Sequence, residues 1–423
     1  MGEHDAMCEK VLRTLENIIE TNSGIQEFAI VQTTENQKNK SPVLFEENCL
    51  GLESWCKSYI RNYSHSLLLK NRRKLSRKLL SIDDMKNLNH IVIGAVLLEP
   101  NVVTFWNMKR DLVENEVLSI EQELYFDELV LSMHSKSYEA FSYRKWLLNL
   151  SIKKFNDLRF FNNENVICEK TAQRYPNNYH SWNYRIWCME KLWQLQPEMQ
   201  NLIFSELKFS RDWITSHISE YTGYYYRQFL LDNLWKLKST SFNIVGSLNF
   251  ESSIKYLNLP FYNEDSFQML NFLFGKSPSY PDNDDYPKYI NMLSMLLSDL
   301  LLISVELNYL YNTHESLWNY RRFLIIKLIE LVSHYHNINW NYDLHIKNEN
   351  ISPHNAVNML NLEMTVLCSG KSELPKKVKS SNFYNILMKK EIEFIEANKN
   401  TENTTLNLPM RHLMWLNLTN FYK

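Results

Sequence analysis

A cation recurs five times in this 423-residue chain, each time three residues after an aromatic side chain. The copies read Trp106-Asn-Met-Lys109-Arg-Asp-Leu112, Phe141-Ser-Tyr-Arg144-Lys-Trp-Leu147, Trp182-Asn-Tyr-Arg185-Ile-Trp-Cys188, Tyr224-Tyr-Tyr-Arg227-Gln-Phe-Leu230 and Trp318-Asn-Tyr-Arg321-Arg-Phe-Leu324. A guanidinium or ammonium beside an aromatic stripe can hold an anion. It can also pack its stem and bond a carbonyl or carboxylate of a neighbouring element. The second role is expected of Lys109, Arg144, Arg185, Arg227 and Arg321, with Trp106, Phe141, Trp182, Tyr224 and Trp318 as the anchors of a structural signature. No self-sufficient active site accompanies them. The sequence has no Gly-rich phosphate loop, no Gly-x-Ser-x-Gly and no His-Glu-x-x-His. His334 and His336 lack companions at metal-ligand spacing and are expected to be solvated. Cys8, Cys49, Cys56, Cys168, Cys188 and Cys368 form no Cys-x-x-Cys, which fits reduced, mostly buried thiols in a cytosolic protein.

The elements that carry these residues read as helices. Residues 178–193 put Tyr179, Trp182, Ile186, Met189 and Trp193 on one stripe, while Tyr184 and Trp187 point elsewhere. A helix that is apolar on more than one side suits a position between neighbours. Successive anchors lie 35, 41, 42 and 94 residues apart, and each copy follows another helical stretch: 82–98, 120–133, 164–175, 198–218 and 289–311. Pro100-Asn101, Pro176-Asn177-Asn178 and Asn312-Thr313-His314 end one helix and cap the next. Each unit is therefore expected to be a helical hairpin. The fold class that follows is all-α, an alpha-alpha superhelix of stacked hairpins in a right-handed, tetratricopeptide-like crescent.

Three regions are expected. Residues 1–81 form an N-terminal helical extension, with 50–81 as a long helix or two. Residues 82–335 carry the repeats. The long last spacing marks an insertion at about 239–287, with a degenerate hairpin around 266–274 and a flexible loop at 275–287. Residues 336–423 supply capping helices and loops: a loop at 336–350, a helix at 353–368, a mobile basic stretch at 369–381, and final helices at 382–398 and 406–422.

Composition supports this reading. Gly 8 and Pro 11 are too few to punctuate many strands and tight turns, and aromatic residues reach 13%. The formal net charge of -2 argues against a nucleic-acid partner. The basic run Lys70, Arg72, Arg73, Lys74, Arg77 and Lys78 reads as a solvated helix face, with docking of an acidic partner as the alternative. The apolar run 296–307 is too short to span a bilayer, and neither a signal peptide nor a lipidation box is present. A cytoplasmic protein without direct membrane insertion is expected.

The stretch Asn178-Tyr179-His180-Ser181-Trp182-Asn183-Tyr184-Arg185, with its echoes, resembles the repeats of protein prenyltransferase alpha subunits, from roughly Ile82 to Leu328. Ser41-Pro-Val-Leu-Phe-Glu-Glu-Asn and Leu50-Gly-Leu-Glu-Ser-Trp-Cys look like the branch called protein prenyltransferase alpha subunit repeat-containing proteins. The resemblance implies an alpha-type subunit, inactive alone, that wraps around a beta subunit. The beta subunit holds a catalytic zinc and the isoprenoid pocket, and this chain binds no cofactor itself. A prenyl diphosphate is the co-substrate. The implied partners are a beta subunit of the Rab geranylgeranyltransferase type and an acceptor with a C-terminal cysteine, such as a Rab or SNARE protein.

The same resemblance points to four site residues. In the family's second repeat a Lys-Asn-Tyr precedes the Trp, and its Lys reaches the diphosphate. Here that stretch is Lys136-Ser137-Tyr138-Glu139-Ala140-Phe141, so Lys136 and Tyr138 match while Ser137 and Phe141 depart. In the third repeat Tyr179, His180 and Trp182 match, and Asn177 stands at the family's Lys position. Lys136, Tyr138, Tyr179 and His180 are thus expected at the diphosphate end. A helical-repeat scaffold with no part in catalysis is the alternative.

Overall fold

A computed structural model describes residues 3–33, 39, 41–195, 200–234, 255, 257–258, 266–276, 286–338, 340, 374–399, 407–419 and 421. The chain divides into two compact units, Met1–Glu198 and Met199–Lys423. Both are built mainly from helical hairpins, and the all-α, stacked-hairpin class expected from the repeats is what the described residues form.

In the first unit, three hairpins follow one another: α3 (Ile82–Leu98) with α4 (Val103–Glu114), α5 (Ile120–Met133) with α6 (Tyr138–Phe155), and α7 (Glu164–Arg174) with α8 (Tyr179–Leu195). The second helices pack in sequence, α4 on α6 and α6 on α8, and α5 packs on α7. Serines start several helices. The Ser119 side chain accepts from Gln122 N in a capping box, and Ser137 accepts from Ala140 N at the head of α6. Asn156 ends α6 in the left-handed region (φ 51).

The N-terminal extension departs from the all-helical expectation for residues 1–81. Helices α1 (Glu3–Thr21) and α2 (Lys57–Ser76) flank a three-stranded sheet of β1 (Glu27–Val31), β2 (Val43–Glu46) and β3 (Cys49–Glu53), in the order β1-β3-β2. Residues 50–53, expected in a helix, are the central strand. Glu27 pairs with Cys49 in parallel register and Val43 with Leu52 in antiparallel register. The edge of β1 is closed by hydroxyls of α5: Tyr125 accepts from Ile25 N at 2.8 Å and Ser132 from Phe28 N at 2.9 Å. Helix α1 lies tightly on α3, because a Cβ on Gly94 would meet Leu12 Cδ2 at 2.1 Å.

The second unit starts with the hairpin α9 (Gln200–Ser216) and α10 (Tyr221–Leu234). Its next hairpin begins at α11 (Tyr286–Leu301), which continues through a π-helical turn (Leu302–Leu307) to Tyr311, and returns as α12 (Glu315–Tyr335). The segment Lys288–Val305 is apolar enough to cross a membrane by composition, yet 78% of it is buried inside the unit. Arg227 of α10 bonds Asp299 of α11 directly. The expected degenerate hairpin at 266–274 is instead a single helix, Ser266–Phe274. It packs against α11 and α13 (Asn382–Asn398), with Phe274 edge-on to Tyr335 and Phe383. Residues 286 and 287, expected in a loop, begin α11. The unit closes with α13 and α14 (Leu408–Leu418).

Other expectations for the C-terminal region meet a mixed outcome. Lys376–Lys379 form one helical turn around buried Val378, within a stretch expected to be mobile. The helix expected at 353–368 and most of the loop expected at 336–350 lie outside the described residues. His334 and His336, expected to be solvated, are half-buried and buried. His336 Nε2 lies 2.7 Å from Phe274 O, so the inserted helix covers it.

A buried histidine gives the second unit a pH dependence. His412 of α14 bonds Glu391 at 3.1 Å, and both are fully enclosed. Burial pushes the His412 imidazole down to about 4 despite that carboxylate. Between pH 6.5 and that value the unfolded chain binds a proton that the folded chain refuses. Stability is therefore complete above pH 6.5 and drains as the pH falls towards 4, by about 3 kcal/mol in all. Urea unfolding at pH 7 and pH 4.5 should show this loss in the wild type and a smaller one in His412→Gln. Equal losses would contradict it.

Candidate functional site

The repeat cations are buried, and Lys109, Arg144, Arg227 and Arg321 sit at joints between hairpins. Arg144 is 3% exposed, and its Nη1 donates back to Leu124 O of its own hairpin at 2.7 Å. Its Nε and Nη2 reach forward to Glu164 of the next hairpin at 2.7 and 2.9 Å. Glu164 also accepts from Tyr184 Oη at 2.5 Å. One carboxylate thus holds the cation of one hairpin and the phenol of the following hairpin. The joint recurs at Glu123, which accepts from Lys109 at 2.9 Å and Tyr143 at 2.7 Å. It recurs at Asp299, which takes two bonds from Arg227 at 2.7 Å and one from Tyr320 at 2.5 Å. At Glu391 the cation is Arg321, at 2.7 and 2.8 Å, and His412 stands in place of the tyrosine. Burial pushes the Tyr143, Tyr184 and Tyr320 phenols well up, so they donate as neutral groups.

The remaining signature residues follow the same plan. Arg185 and Arg227 donate back to Asn165 O at 2.9 Å and Leu207 O at 2.5 Å. Tyr226 bonds Glu206 at 2.5 Å. The indoles of Trp106, Trp182 and Trp318 donate to Pro100 O, Pro176 O and Asn312 O at 2.6, 2.9 and 2.9 Å, which ties each second helix to the turn before it. Phe141 is buried against Tyr184 with ring centroids 5.3 Å apart, and Tyr224 lies 5.2 Å from Tyr320. The carboxylates were not among the residues singled out from the sequence. Their signal is an acid 20 residues before the repeat tyrosine at Glu123, Glu164 and Glu206, and 21 before it at Asp299.

The four residues expected at a diphosphate lie on two neighbouring turns of the first unit. Lys136 is in the turn before α6, Tyr138 starts α6, and Tyr179 and His180 start α8. The two turns are tied by Asn178, which is 1% exposed and donates its Nδ2 to Ser135 O at 2.5 Å. Asn178 Oδ1 also accepts from Ser181 N at 3.4 Å, so the same side chain caps α8. Its role was not visible in the sequence beyond a capping residue in a turn.

The rings of Tyr138 and His180 lie 5.6 Å apart, and those of Tyr179 and His180 5.9 Å apart. Lys136 is exposed, with its Nζ 4.0 Å from the centre of the Tyr175 ring. Tyr175, which the sequence reading passed over, therefore belongs to the cluster. Tyr138 is 59% exposed and Tyr179 37%, so the cluster is a surface patch and its phenols are free to meet an external group. The N-termini of α6 and α8 add partial positive charge at the same place. A groove of about 890 Å³ lined by Val117, Ile120, Lys154, Phe155 and Arg159 lies at the far end of α6 and is separate from the patch. Among the described residues no group of three or more His, Cys, Asp or Glu is placed to hold a metal ion.

Residues 120–151, 161–192 and 203–234 match the protein prenyltransferase alpha subunit repeat. Each match spans one hairpin as described above. The chain is 28% identical over 338 residues to the zebrafish (Danio rerio) protein prenyltransferase alpha subunit repeat-containing protein 1, covering 76% of this chain and 72% of that protein. The human (Homo sapiens) protein of that name is 27% identical over 333 residues, covering 75% and 76%. A shorter likeness, 28% over 152 residues, joins 34% of this chain to 24% of the rat (Rattus norvegicus) geranylgeranyl transferase type-2 subunit alpha. Three of its hairpins match that repeat and its likeness to the repeat-containing proteins spans about three quarters of its length, so the chain is similar to protein prenyltransferase alpha subunits.

Proposed function

We propose that this chain is the alpha-type subunit of a heterodimeric protein prenyltransferase, inactive alone, and that it supports transfer of a geranylgeranyl group from its diphosphate to a cysteine thiol of an acceptor protein in the cytoplasm. The observation that carries this reading is the cluster of exposed Lys136, Tyr138 and Tyr179 with half-buried His180 on two adjoining turns, in a chain similar to that family. In such a transfer the acceptor sulfur bonds to the first carbon of the prenyl chain. The carbon–oxygen bond breaks, and diphosphate departs with the electron pair. Negative charge grows on the departing oxygens. An ammonium and two exposed phenol O–H groups are donors suited to that charge. The zinc of such a transfer would be held by the beta subunit, where it would supply an activated thiolate. Tyr138 and Tyr179 are exposed, which suits a mouth completed by another chain.

A scaffold with no part in transfer is the second reading. It is favoured by Asn177, which stands where the family carries a lysine. Co-expression with a beta subunit of the Rab geranylgeranyltransferase type decides between them. The proposal expects a stable complex that transfers labelled geranylgeranyl from its diphosphate to an acceptor with a C-terminal cysteine. Absence of any complex refutes it, and a complex without transfer leaves the scaffold.

A further inference from the structure

The C-terminal half of α2 carries a positive face that the fold leaves unpaired. Lys70, Arg73, Lys74 and Arg77 fall at i, i+3, i+4 and i+7, so they share one side of the helix, with Arg72 and Lys78 beside them. All six are exposed. Among the described residues none is engaged in an ion pair, although Lys78 is near enough to Asp111 for its charge to be felt there. The N-terminal half of the same helix behaves differently: Arg61 and His65 both meet Glu99, at 2.6 and 2.5 Å. Like charges three and four residues apart on a helix repel and destabilise it. Placement at a helix C-terminus offsets only part of that.

Apolar side chains sit among these cations. Leu69, Leu79 and Ile82 are 52%, 69% and 59% exposed. The helix's own apolar side, Ile60, Leu68 and Leu75, is already buried, and α2 packs on α1, α3 and α4.

We infer that this face is a docking surface for an acidic protein segment that also carries apolar side chains, separate from the prenyl-transfer patch and independent of that reading. Carboxylates of the partner would relieve the repulsion along the stripe, and its apolar groups would cover Leu69, Leu79 and Ile82. A membrane surface fits less well, because a helix that lies in a bilayer needs an exposed apolar side and that of α2 is used inside the fold. A nucleic acid fits less well too, since the stripe presents no aromatic ring on which bases could stack.

The test uses the full chain without a beta subunit. Three probes are compared by fluorescence anisotropy or co-sedimentation: a labelled helical peptide with a Glu stripe beside leucines, a single-stranded RNA, and vesicles of phosphatidylserine and phosphatidylcholine in equal parts. The acidic peptide should bind tightest and weaken with salt. The triple variant Arg73→Glu, Lys74→Glu, Arg77→Glu should bind it about tenfold more weakly or worse, with unchanged circular dichroism. If that variant misfolds, the Gln triple variant replaces it and should show a weakening in the same direction. The inference is overturned by no binding of the peptide, by binding that charge removal leaves unchanged, or by tighter binding of the RNA or the vesicles.

Discussion

Arg144→Ala should destabilise the first unit by about 3–5 kcal/mol, a large share of the stability of any domain. The guanidinium is buried and makes both bonds of a planar fork to Glu164, a third to Leu124 O, and a contact to Asp127 at 3.3 Å. Its loss strands the Glu164 carboxylate in the interior beside the Tyr184 hydroxyl that donates to it. Asp127 behaves differently. Burial pushes its carboxyl up to about 8, so at neutral pH it keeps its proton and the joint contains one cation and one anion. That balance explains why two acids can face one arginine without mutual repulsion. Arg144→Lys keeps the charge but not the fork, so it should fall between the wild type and Ala. Arg159→Ala is the control: its pair with Asp157 at 2.7 Å is on the surface, and the change should leave the urea midpoint close to that of the wild type. Urea midpoints of the three variants measure all of this. A loss below about 1 kcal/mol for Arg144→Ala would mean that the joint does not hold the hairpins together.

The joints also show which parts of the fold were legible in the sequence. Aromatic and cation sit at a fixed offset on one helix, so they recur at a constant spacing. The carboxylate that receives the cation lies on the next hairpin, and the distance along the chain depends on the connection. It is 14 residues for Lys109 and Glu123, 20 for Arg144 and Glu164, 72 for Arg227 and Asp299, and 70 for Arg321 and Glu391. No single period connects them. The acid-to-tyrosine offset is regular because both residues belong to one hairpin with a short turn, but Asp stands in for Glu at 299 and histidine replaces the last tyrosine. The strand at 49–53 was hidden for another reason. As the middle strand it is buried at four successive positions, so the alternation that marks a half-buried strand is absent. His336 follows a different logic again: a polar sequence context suggested solvent, and a helix more than sixty residues earlier covers it. At the candidate site the two turns were legible as repeat positions. Their contact through Asn178 and Ser135 was not, because it joins residues of two hairpins.

Lys136→Ala should leave the fold and the complex intact and lower the transfer rate by about 10²-fold. Lys136 is exposed, and its described contact is the face of the equally accessible Tyr175 ring, so no buried group loses a partner when it is removed. Its urea midpoint should therefore match the wild type within about 0.5 kcal/mol, in contrast to Arg144→Ala. The rate effect has a different origin. Charge on the diphosphate oxygens next to the breaking bond is greater in the transition state than in the bound substrate, so an ammonium there acts mostly on kcat. Tyr138→Phe and Tyr179→Phe remove one neutral donor each and should cost less than loss of the cation. The measurement is steady-state transfer by the purified heterodimer over a range of prenyl diphosphate concentrations. A raised KM with unchanged kcat would assign Lys136 to ground-state binding alone. An unchanged kcat/KM would remove it from the site, leaving the cluster of Tyr138, Tyr179 and His180 as a surface between subunits and the chain as a scaffold within the complex.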